Sequence, residues 1–456
     1  MKEQGYSVNL KSLLLAVAMA FPATQVSATT RFTPLLGLDH TFINVDSLAG
    51  PDAGGVSVIS PGFDYSLESR HTTLDMSLLV EAEYYTGLDR DNRVVPNLDF
   101  DAIFDHDPGR WKSTVAAAIG QVNDSIDGVQ SLSPNVFNPF TKGAAIFSAD
   151  TDYNNRLSST IDYQALLRVD RTNFEDRDPT NGANLDLSIN NFRSGNTFTW
   201  TGAVATDQTN TEGDRTQIDA LALTLYYRIN SRLKAFTDLT SWRTNEDDPG
   251  LDNDQGQESF YLGLAWANRQ NNYLRVGIGE LDGEASYSLS AQLTRRRSRF
   301  TASYTDGVTS ARTDTLNRGR SASGTLNSQS LNTNPVLQKR ADLGFSLQGR
   351  RSVFSLNLFD YNREPIEPGL TEYGSGFTIT FSRTLPRLAS TGIDFRGQRT
   401  KLTETNDLGE FNAYYQKSLG KNLEANVNLN LSKQESSNEA NEYEQVQLGF
   451  SLFMSF

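Results

Sequence analysis

The last fifteen residues of the chain, 442 to 456, place the strongest constraint on its fold. Apolar side chains occupy every second position there: Val446, Leu448, Phe450, Leu452, Met454 and Phe456. In an extended strand these residues share one face, and Phe453 alone breaks the alternation. The last residues of a soluble protein usually fray into water, so an apolar face that reaches the terminal carboxylate is unusual. Two interpretations remain at this point: a strand whose outer face meets lipid, or the buried terminal strand of a soluble β-sandwich.

The same period of two recurs along most of the chain from about Asn155 onward. Leu185, Leu187 and Ile189 alternate with polar residues. The clearest segment alternates Leu423, Ala425, Val427, Leu429 and Leu431 with Glu424, Asn426, Asn428, Asn430 and Ser432. Segments of about ten residues suit tilted strands that cross a bilayer. With a mean hydropathy of −0.47, the chain is too polar for a helical membrane protein.

The connections between these segments alternate between short and long. Short turns at one end and long loops at the other are typical of an outer-membrane barrel, with the short turns in the periplasm. We count about 16 strands after Asn155 and five fainter ones before it, and an even total requires one more, placed at a hidden turn near Tyr163. The sequence therefore predicts an all-β fold: a single antiparallel up-and-down transmembrane β-barrel of about 22 strands (range about 18 to 22), with both termini periplasmic.

Residues 1–28 have the pattern of a signal peptide. Lys2 and Lys11 form a basic start, residues 13–21 an apolar core, and Val26, Ser27 and Ala28 a small-residue cleavage site. The apolar run is shorter than the roughly 20 residues that a membrane-spanning helix needs. We therefore predict that residues 29–456 form the barrel in the outer membrane of a Gram-negative bacterium.

Two polar segments have little periodicity. Residues 124–152 are predicted to be either a long extracellular loop or a constriction folded into the lumen. Residues 306–336 are predicted to be a long extracellular loop because they are rich in Ser, Asn and Thr.

Charge and residue usage exclude several functions. The formal net charge of −14 offers no basic surface for nucleic acid. The chain has no cysteine and only three histidines, His40, His71 and His106, none of which lies in a hydrolase motif. The acidic loop at residues 247–254 does not fit the EF-hand pattern. We therefore expect no catalytic residues, no metal site and no cofactor.

Charged residues opposite the apolar positions are predicted to face the lumen. They are Asp162, Arg168, Asp186, Asp219, Arg228, Asp342, Arg350, Asp394, Arg396 and Glu424. Two roles remain open for them. They set a transverse field that screens solutes by charge and size, or they pair across the wall and stiffen it.

The terminal Phe456, preceded by apolar residues at Met454, Leu452, Phe450 and Leu448, resembles the assembly signal of bacterial outer-membrane barrels. Together with the strands and loops, it makes the whole chain after residue 28 similar to porin-like barrels. The size of the chain and residues 299–309, RFTASYTDGVT, also resemble the barrels of PEP-CTERM/exosortase systems. That second resemblance implies a link to exopolysaccharide export or surface-protein sorting.

These features predict a channel for passive transport or export of polar solutes. The alternative is a structural or assembly barrel with a blocked lumen that binds polysaccharide or proteins through its loops. An outer-membrane hydrolase is the least favoured function. The expected partners are outer-membrane lipid and lipopolysaccharide, the barrel-insertion machinery, and polysaccharide or oligosaccharide.

Overall fold

The computed structural model describes residues 29–47, 50–88, 91–123, 141–174, 179–191, 196–211, 214–246, 255–268, 272–310, 335–365, 370–439 and 442–456. The first eleven strands are β1 (Thr29–Ser47), β2 (Gly50–Glu68), β3 (Thr72–Thr86), β4 (Arg93–Asp107), β5 (Trp111–Asn123), β6 (Thr141–Arg156), β7 (Asp162–Phe174), β8 (Thr180–Asn190), β9 (Phe198–Thr211), β10 (Asp214–Arg228) and β11 (Leu233–Glu246). The other eleven are β12 (Gln255–Ala267), β13 (Tyr273–Leu281), β14 (Glu284–Arg295), β15 (Ser298–Ser310), β16 (Pro335–Gln348), β17 (Ser352–Pro365), β18 (Glu372–Leu385), β19 (Ala389–Lys401), β20 (Thr405–Ser418), β21 (Leu423–Ser436) and β22 (Tyr443–Ser455).

The strands form one closed antiparallel sheet. Each strand pairs with its neighbours in the chain, and β1 pairs with β22, which makes a barrel of 22 strands. Closure gives every described strand a hydrogen-bonded neighbour on both sides, so the sheet has no free edge strand inside the bilayer. The predicted all-β barrel of about 22 strands is confirmed. Across the described residues, no helix is long and apolar enough to cross a membrane.

The C-terminal strand closes the barrel. Phe450 lies between Val427 of β21 and His40 of β1. The backbone N–H of Phe456 donates to the carbonyl oxygen of Pro34 at 3.0 Å. The predicted assembly residues Leu448, Phe450, Leu452 and Met454 therefore belong to the seam where the first and last strands meet. Their role in assembly stays a prediction.

The two ends of the barrel differ. One end, the turn end, carries both Thr29 and Phe456 together with the short turns at 69–71, 108–110, 229–232, 349–351 and 386–388. The opposite end, the loop end, includes a two-residue turn at Asp282 and Gly283, whose φ angles are 48° and 80°. Positive φ at both positions matches the hairpin turn that Asp-Gly favours. We expect the turn end to face the periplasm, as predicted for both termini.

The structure corrects the prediction for residues 124–152. Residues 141–152 belong to β6, which pairs with β5 and β7 along its length, and 124–140 lie outside the described residues. The hidden turn near Tyr163 was also wrong, because β7 runs unbroken from Asp162 and the turn lies at 157–161. In β6 the alternation is masked because an apolar residue lies on the inner face and a polar one on the outer face. Ile146 faces inward, paired with Thr172, and Thr151 faces outward, paired with Leu167.

Residues 306–310 and 335–336, at the ends of the predicted loop 306–336, are likewise strand, in β15 and β16. The remainder of that loop, 311–334, lies outside the described residues, as does the predicted signal peptide at 1–28.

Candidate functional site: the inner wall of the barrel

Apolar side chains on one face of the strands are exposed, as a surface against lipid must be. In β8, Leu185, Leu187 and Ile189 are 37%, 43% and 41% exposed. The same face carries Leu221, Leu262, Ile278, Leu343 and Phe450, all exposed. Asp186 and Ser188 of β8 point to the opposite, inner face. Residues paired across neighbouring strands share a face, so this assignment extends around the barrel.

Pairing places eight of the ten predicted lumen charges on inner-face positions. They are Asp162, Arg168, Asp186, Arg228, Asp342, Asp394, Arg396 and Glu424. They do not form one group, because they are spread over strands from β7 to β21. Their contribution to solute selection stays a prediction.

The structure places the other two elsewhere. Asp219 pairs with Thr206 and Arg243 on the outer face, together with Leu221, because residues two apart in a strand share a face. It lies toward the loop end of β10 and accepts a hydrogen bond from Gln217 Nε2 at 2.9 Å. Arg350 lies in the turn between β16 and β17 rather than in the wall. Both predictions were wrong.

A group of acidic residues on β1–β4 was missed because these strands have faint patterns. The inner faces carry Asp39, Asp64, Asp75, Glu81, Glu83, Asp99 and Asp101 with only Arg31 and Arg93 as bases. We call this region the acidic sector. Asp64, Asp75, Asp99, Asp101 and Arg31 line a common depression. The spacing of Asp99 and Asp101 by two residues was the available signal.

A row of small residues beneath an aromatic ring forms a second feature. Phe236, Gly263, Gly277 and Ser288 are paired across β11–β14. A Cβ on Gly263 would lie 2.5 Å from Phe236 Cζ, so the ring lies flat over the glycines. The guanidinium of Arg275 stacks 3.9 Å from the centroid of that ring and binds Asp238. The alternation in the sequence placed Gly263 opposite the apolar face but gave no sign of a ring lying over it.

A third cluster combines charges and aromatic rings on β16–β18. Arg363 forms an ion pair with Glu372 at 3.3 Å, with side chains 5% and 13% exposed. Tyr361 donates to Glu372 at 2.8 Å and lies over Gly374, where a Cβ would be 2.2 Å from its ring. Nearby, Arg340 binds Asp342 at 2.7 Å. The predicted lumen charge Asp342 is therefore paired along its own strand.

The inner faces of β19–β22 are rich in side-chain amides. We call the surface formed by Gln398, Asn412, Asn426, Asn428, Asn430, Gln434, Gln445 and Gln447 the amide wall. Asn412, Asn430 and Gln447 make one row across β20–β22, and Arg396, Glu410, Ser432 and Gln445 make the next row toward the loop end. Asn430 is 0%, Gln445 3% and Gln447 5% exposed.

Several polar atoms of this wall are buried without a partner. Within the described part of the chain, neither Oδ1 nor Nδ2 of Asn430 is hydrogen-bonded. Three other buried atoms of the described residues also lack a hydrogen-bond partner: Nε2 of Gln447, Nε of Arg396 and Oγ1 of Thr400. Buried polar groups in folded proteins are nearly always paired, because an unpaired one loses its bonds to water. The amide wall is therefore the part of the barrel with the greatest unmet hydrogen-bonding capacity that we find.

An apolar group also lies on the inner side. Ile43, Val45, Val56 and Val58 of β1 and β2 pack with Leu88, which follows the end of β3. Leu88 reaches them because Gly87 adopts a φ of 75° and a Cβ on Gly54 would lie 2.6 Å from Leu88 Cγ. Gly87 and Leu88 thus turn into the barrel toward its loop end.

The three histidines occupy outer or terminal positions. His40 lies on the outer face of β1, where its Nδ1 atom is 2.9 Å from Ser57 Oγ. The Nδ1 atom of His71 is 3.1 Å from the carbonyl oxygen of Asp105 at the turn end. His106 packs against Trp111 with ring centroids 4.5 Å apart. Three aromatic residues near strand ends, Tyr85, Trp242 and Tyr273, lie on the inner face.

Comparison with solved structures identifies barrels of the same architecture. The apoprotein form of the FrpB iron transporter from Neisseria meningitidis has a TM-score of 0.52 at 8% identity, over 92% of this chain and 81% of that one. The copper transporter OprC has a TM-score of 0.50 at 9% identity, over 96% and 82%. At these identities the similarity is one of fold. No protein-family model matches the sequence, and no curated protein matches it.

The closed sheet, the apolar outer face and the polar inner face together define a class. The chain has the architecture of a bacterial outer-membrane β-barrel.

Proposed function

We propose that this barrel is a channel for polar solutes across the outer membrane, a passive transport or export protein rather than an enzyme. The observation that carries the proposal is the inner wall, which is polar and carries both signs of charge around a ring of 22 strands. A barrel of about this size encloses a wide interior unless something fills it. The iron and copper transporters with the same fold are consistent with this function.

A finer proposal concerns the solute. The resemblance of residues 299–309 to barrels of PEP-CTERM/exosortase systems supports a link to exopolysaccharide secretion. Lipopolysaccharide around the outer face and the barrel-insertion machinery acting on the C-terminal strand complete the proposed set of partners.

The test is planar-bilayer conductance of the purified chain. Folding is checked independently by heat-shifted gel mobility. We expect discrete conductance steps, and we expect Asp342→Ala to change the conductance or ion selectivity because it leaves Arg340 without its carboxylate. Asp219→Ala is the matched control, since Asp219 lies on the outer face and its removal leaves both properties unchanged. A silent bilayer from folded protein would contradict the channel.

A second function is favoured by the shielding of inner-face side chains. Asn430, Glu410 and Val56 are 0%, 1% and 0% exposed although they lie on the inner face. A barrel with a blocked lumen that binds polysaccharide or proteins through its loops would show this shielding. Deleting residues 311–334 would then abolish partner capture and leave heat-shifted mobility unchanged, and conductance would be absent before and after the deletion.

A further inference from the structure

From the amide wall, we infer that the barrel binds a neutral oligosaccharide chain along β19–β22. This inference deepens the proposed channel function by naming its substrate class, and it rests on that function. Its basis is the chemistry of the wall and the unmet hydrogen-bonding capacity of its buried groups.

The inner face of β21 is polar along its whole length. From the turn end to the loop end, the inner face of β21 presents Glu424, Asn426, Asn428, Asn430, Ser432 and Gln434. Alternate residues of a strand are about 7 Å apart, so these six positions form a polar track on the order of 30 Å long. A track of this length follows the pore axis through most of the membrane.

Side-chain amides match sugar hydroxyls in their hydrogen-bonding capacity. An Asn or Gln amide both donates and accepts hydrogen bonds, as a sugar hydroxyl does. Charged side chains present only donors or only acceptors at neutral pH. A surface made mainly of amides and hydroxyls therefore fits a chain of hydroxyl groups better than it fits an ion.

Among the described residues, several buried side-chain atoms along the track have no hydrogen-bond partner. Asn430 and Gln447 are adjacent across β21 and β22, and both have unpaired amide atoms although they are 0% and 5% exposed. One row nearer the loop end, Arg396 donates to Gln398 at 2.5 Å but leaves its Nε unpaired. Leaving such groups unpaired destabilises the barrel. When these side chains turn toward the lumen, a polyhydroxyl ligand supplies both donors and acceptors to them.

The charges around the track disfavour acidic glycans. The fixed charges beside the track are Asp394, Glu410 and Glu424 against Arg396. The strands beyond the seam carry the acidic sector. A chain of uronic acids would meet net negative charge on both sides. Tyr414, whose ring lies over Gly392 beside the track, offers an apolar surface to an uncharged sugar ring.

The experiment measures binding and conductance separately. Calorimetry of the detergent-purified protein with maltohexaose, a neutral probe, and with hexagalacturonate, an acidic one, tests the track. Planar-bilayer current with the same two sugars tests the channel. We expect maltohexaose to bind and to interrupt the current, and hexagalacturonate to do neither.

The variant Asn430→Leu with Gln447→Leu removes the unpaired amides and keeps similar volume. We expect it to weaken maltohexaose binding at least tenfold, with unchanged heat-shifted mobility. Asn184→Leu, a lumen-facing amide on β8, is the control and retains binding. If the double variant fails to fold, Gln447→Leu alone is measured.

The proposed binding of a neutral oligosaccharide to the track would be contradicted by either of two results. One is binding of hexagalacturonate in place of maltohexaose, and the other is equal maltohexaose binding by the control and the double variant. A silent bilayer with maltohexaose binding intact would instead overturn the channel and leave the track standing. A silent bilayer without binding would overturn both.

Discussion

Glycines on the inner face are fixed by the aromatic rings that lie on them. A Cβ at Gly263 would meet both the carbonyl oxygen of Val276 at 2.0 Å and Phe236 Cζ at 2.5 Å. The backbone atom cannot move without disturbing the pairing of β12 with β13. The strand glycines therefore hold Phe236, and through it Arg275, in position.

Gly263→Ala is expected to destabilise the barrel by about 1–3 kcal/mol because overpacking forces backbone shifts. The temperature at which the folded band converts to the unfolded band on a gel measures this loss. Gly409→Ala is the control, since nothing lies within 4 Å of a Cβ there. An equal loss of stability in the two variants would show that glycine is required at both positions, whether or not an aromatic ring lies over it.

The ion pair of Arg363 and Glu372 is shielded enough for its partners to depend on each other. Arg363→Met is expected to cost about 3–5 kcal/mol because it leaves the buried carboxylate of Glu372 without its counter-charge. Combining it with Glu372→Gln is expected to restore most of that loss. Unfolding free energies of the two single variants and the double variant supply the coupling. If the changes in unfolding free energy of the two single variants add up to that of the double variant, the two side chains act independently.

At the scale of elements, the strand β6 shows where prediction from sequence stopped. The strong segments after Asn155 were recognisable because lipid demands an apolar residue at every second position. In β6 that face carries Ala145, Ala149 and Thr151, which do not contrast with the inner Ala144 and Ile146. The pairing with β5 and β7, rather than its own pattern, holds this segment as a strand.

The absence of cysteine from the chain permits a direct test of β6. Asp150→Cys, on the inner face, is expected to react with a membrane-impermeant maleimide that enters from the water-filled side. Ala149→Cys, on the outer face, is expected to be protected by lipid. Reaction rates in proteoliposomes provide the measurement. Similar rates at both positions would mean that the segment is a loop, as the sequence first indicated.

The site was less accessible to prediction than the fold. The alternation of apolar and polar residues within one strand identified inner positions such as Asp186 and Glu424, because successive side chains point to opposite faces. It did not reveal that Tyr361, Arg363 and Glu372 meet, since these contacts join residues of two strands through a register that the sequence does not show. Asp219 was assigned to the wrong face although Leu221, two residues later, gave the right phase.

At the scale of the whole molecule, negative charge is concentrated on one side of the interior. The acidic sector lies on β1–β4, whereas the amide wall on β19–β22 has few charged side chains beside it. A wall with one sign of charge raises the local concentration of counter-ions. The open channel is therefore expected to prefer cations, and to lose that preference as salt is raised.

Asp64→Asn, Asp75→Asn and Asp99→Asn together are expected to lower the cation preference several-fold. The reversal potential in a potassium chloride gradient measures it. The control changes Glu435, Glu439 and Glu444 to Gln, which removes equal charge at the loop end outside the lumen. A larger effect from the control would place the selective region at the mouth.

The unequal strand lengths give the barrel a slanted rim. β1 and β2 have 19 residues each, whereas β13, eleven strands around the ring from β2, has nine. At about 3.3 Å per residue with a tilt near 40°, β13 rises only about 20–25 Å, close to the thickness of the apolar layer. As far as the described strands extend, the wall at β13–β14 ends near the level of the lipid headgroups. A glycan rooted in the outer leaflet would reach the mouth from this side by travelling along the membrane surface, without climbing the tall wall opposite.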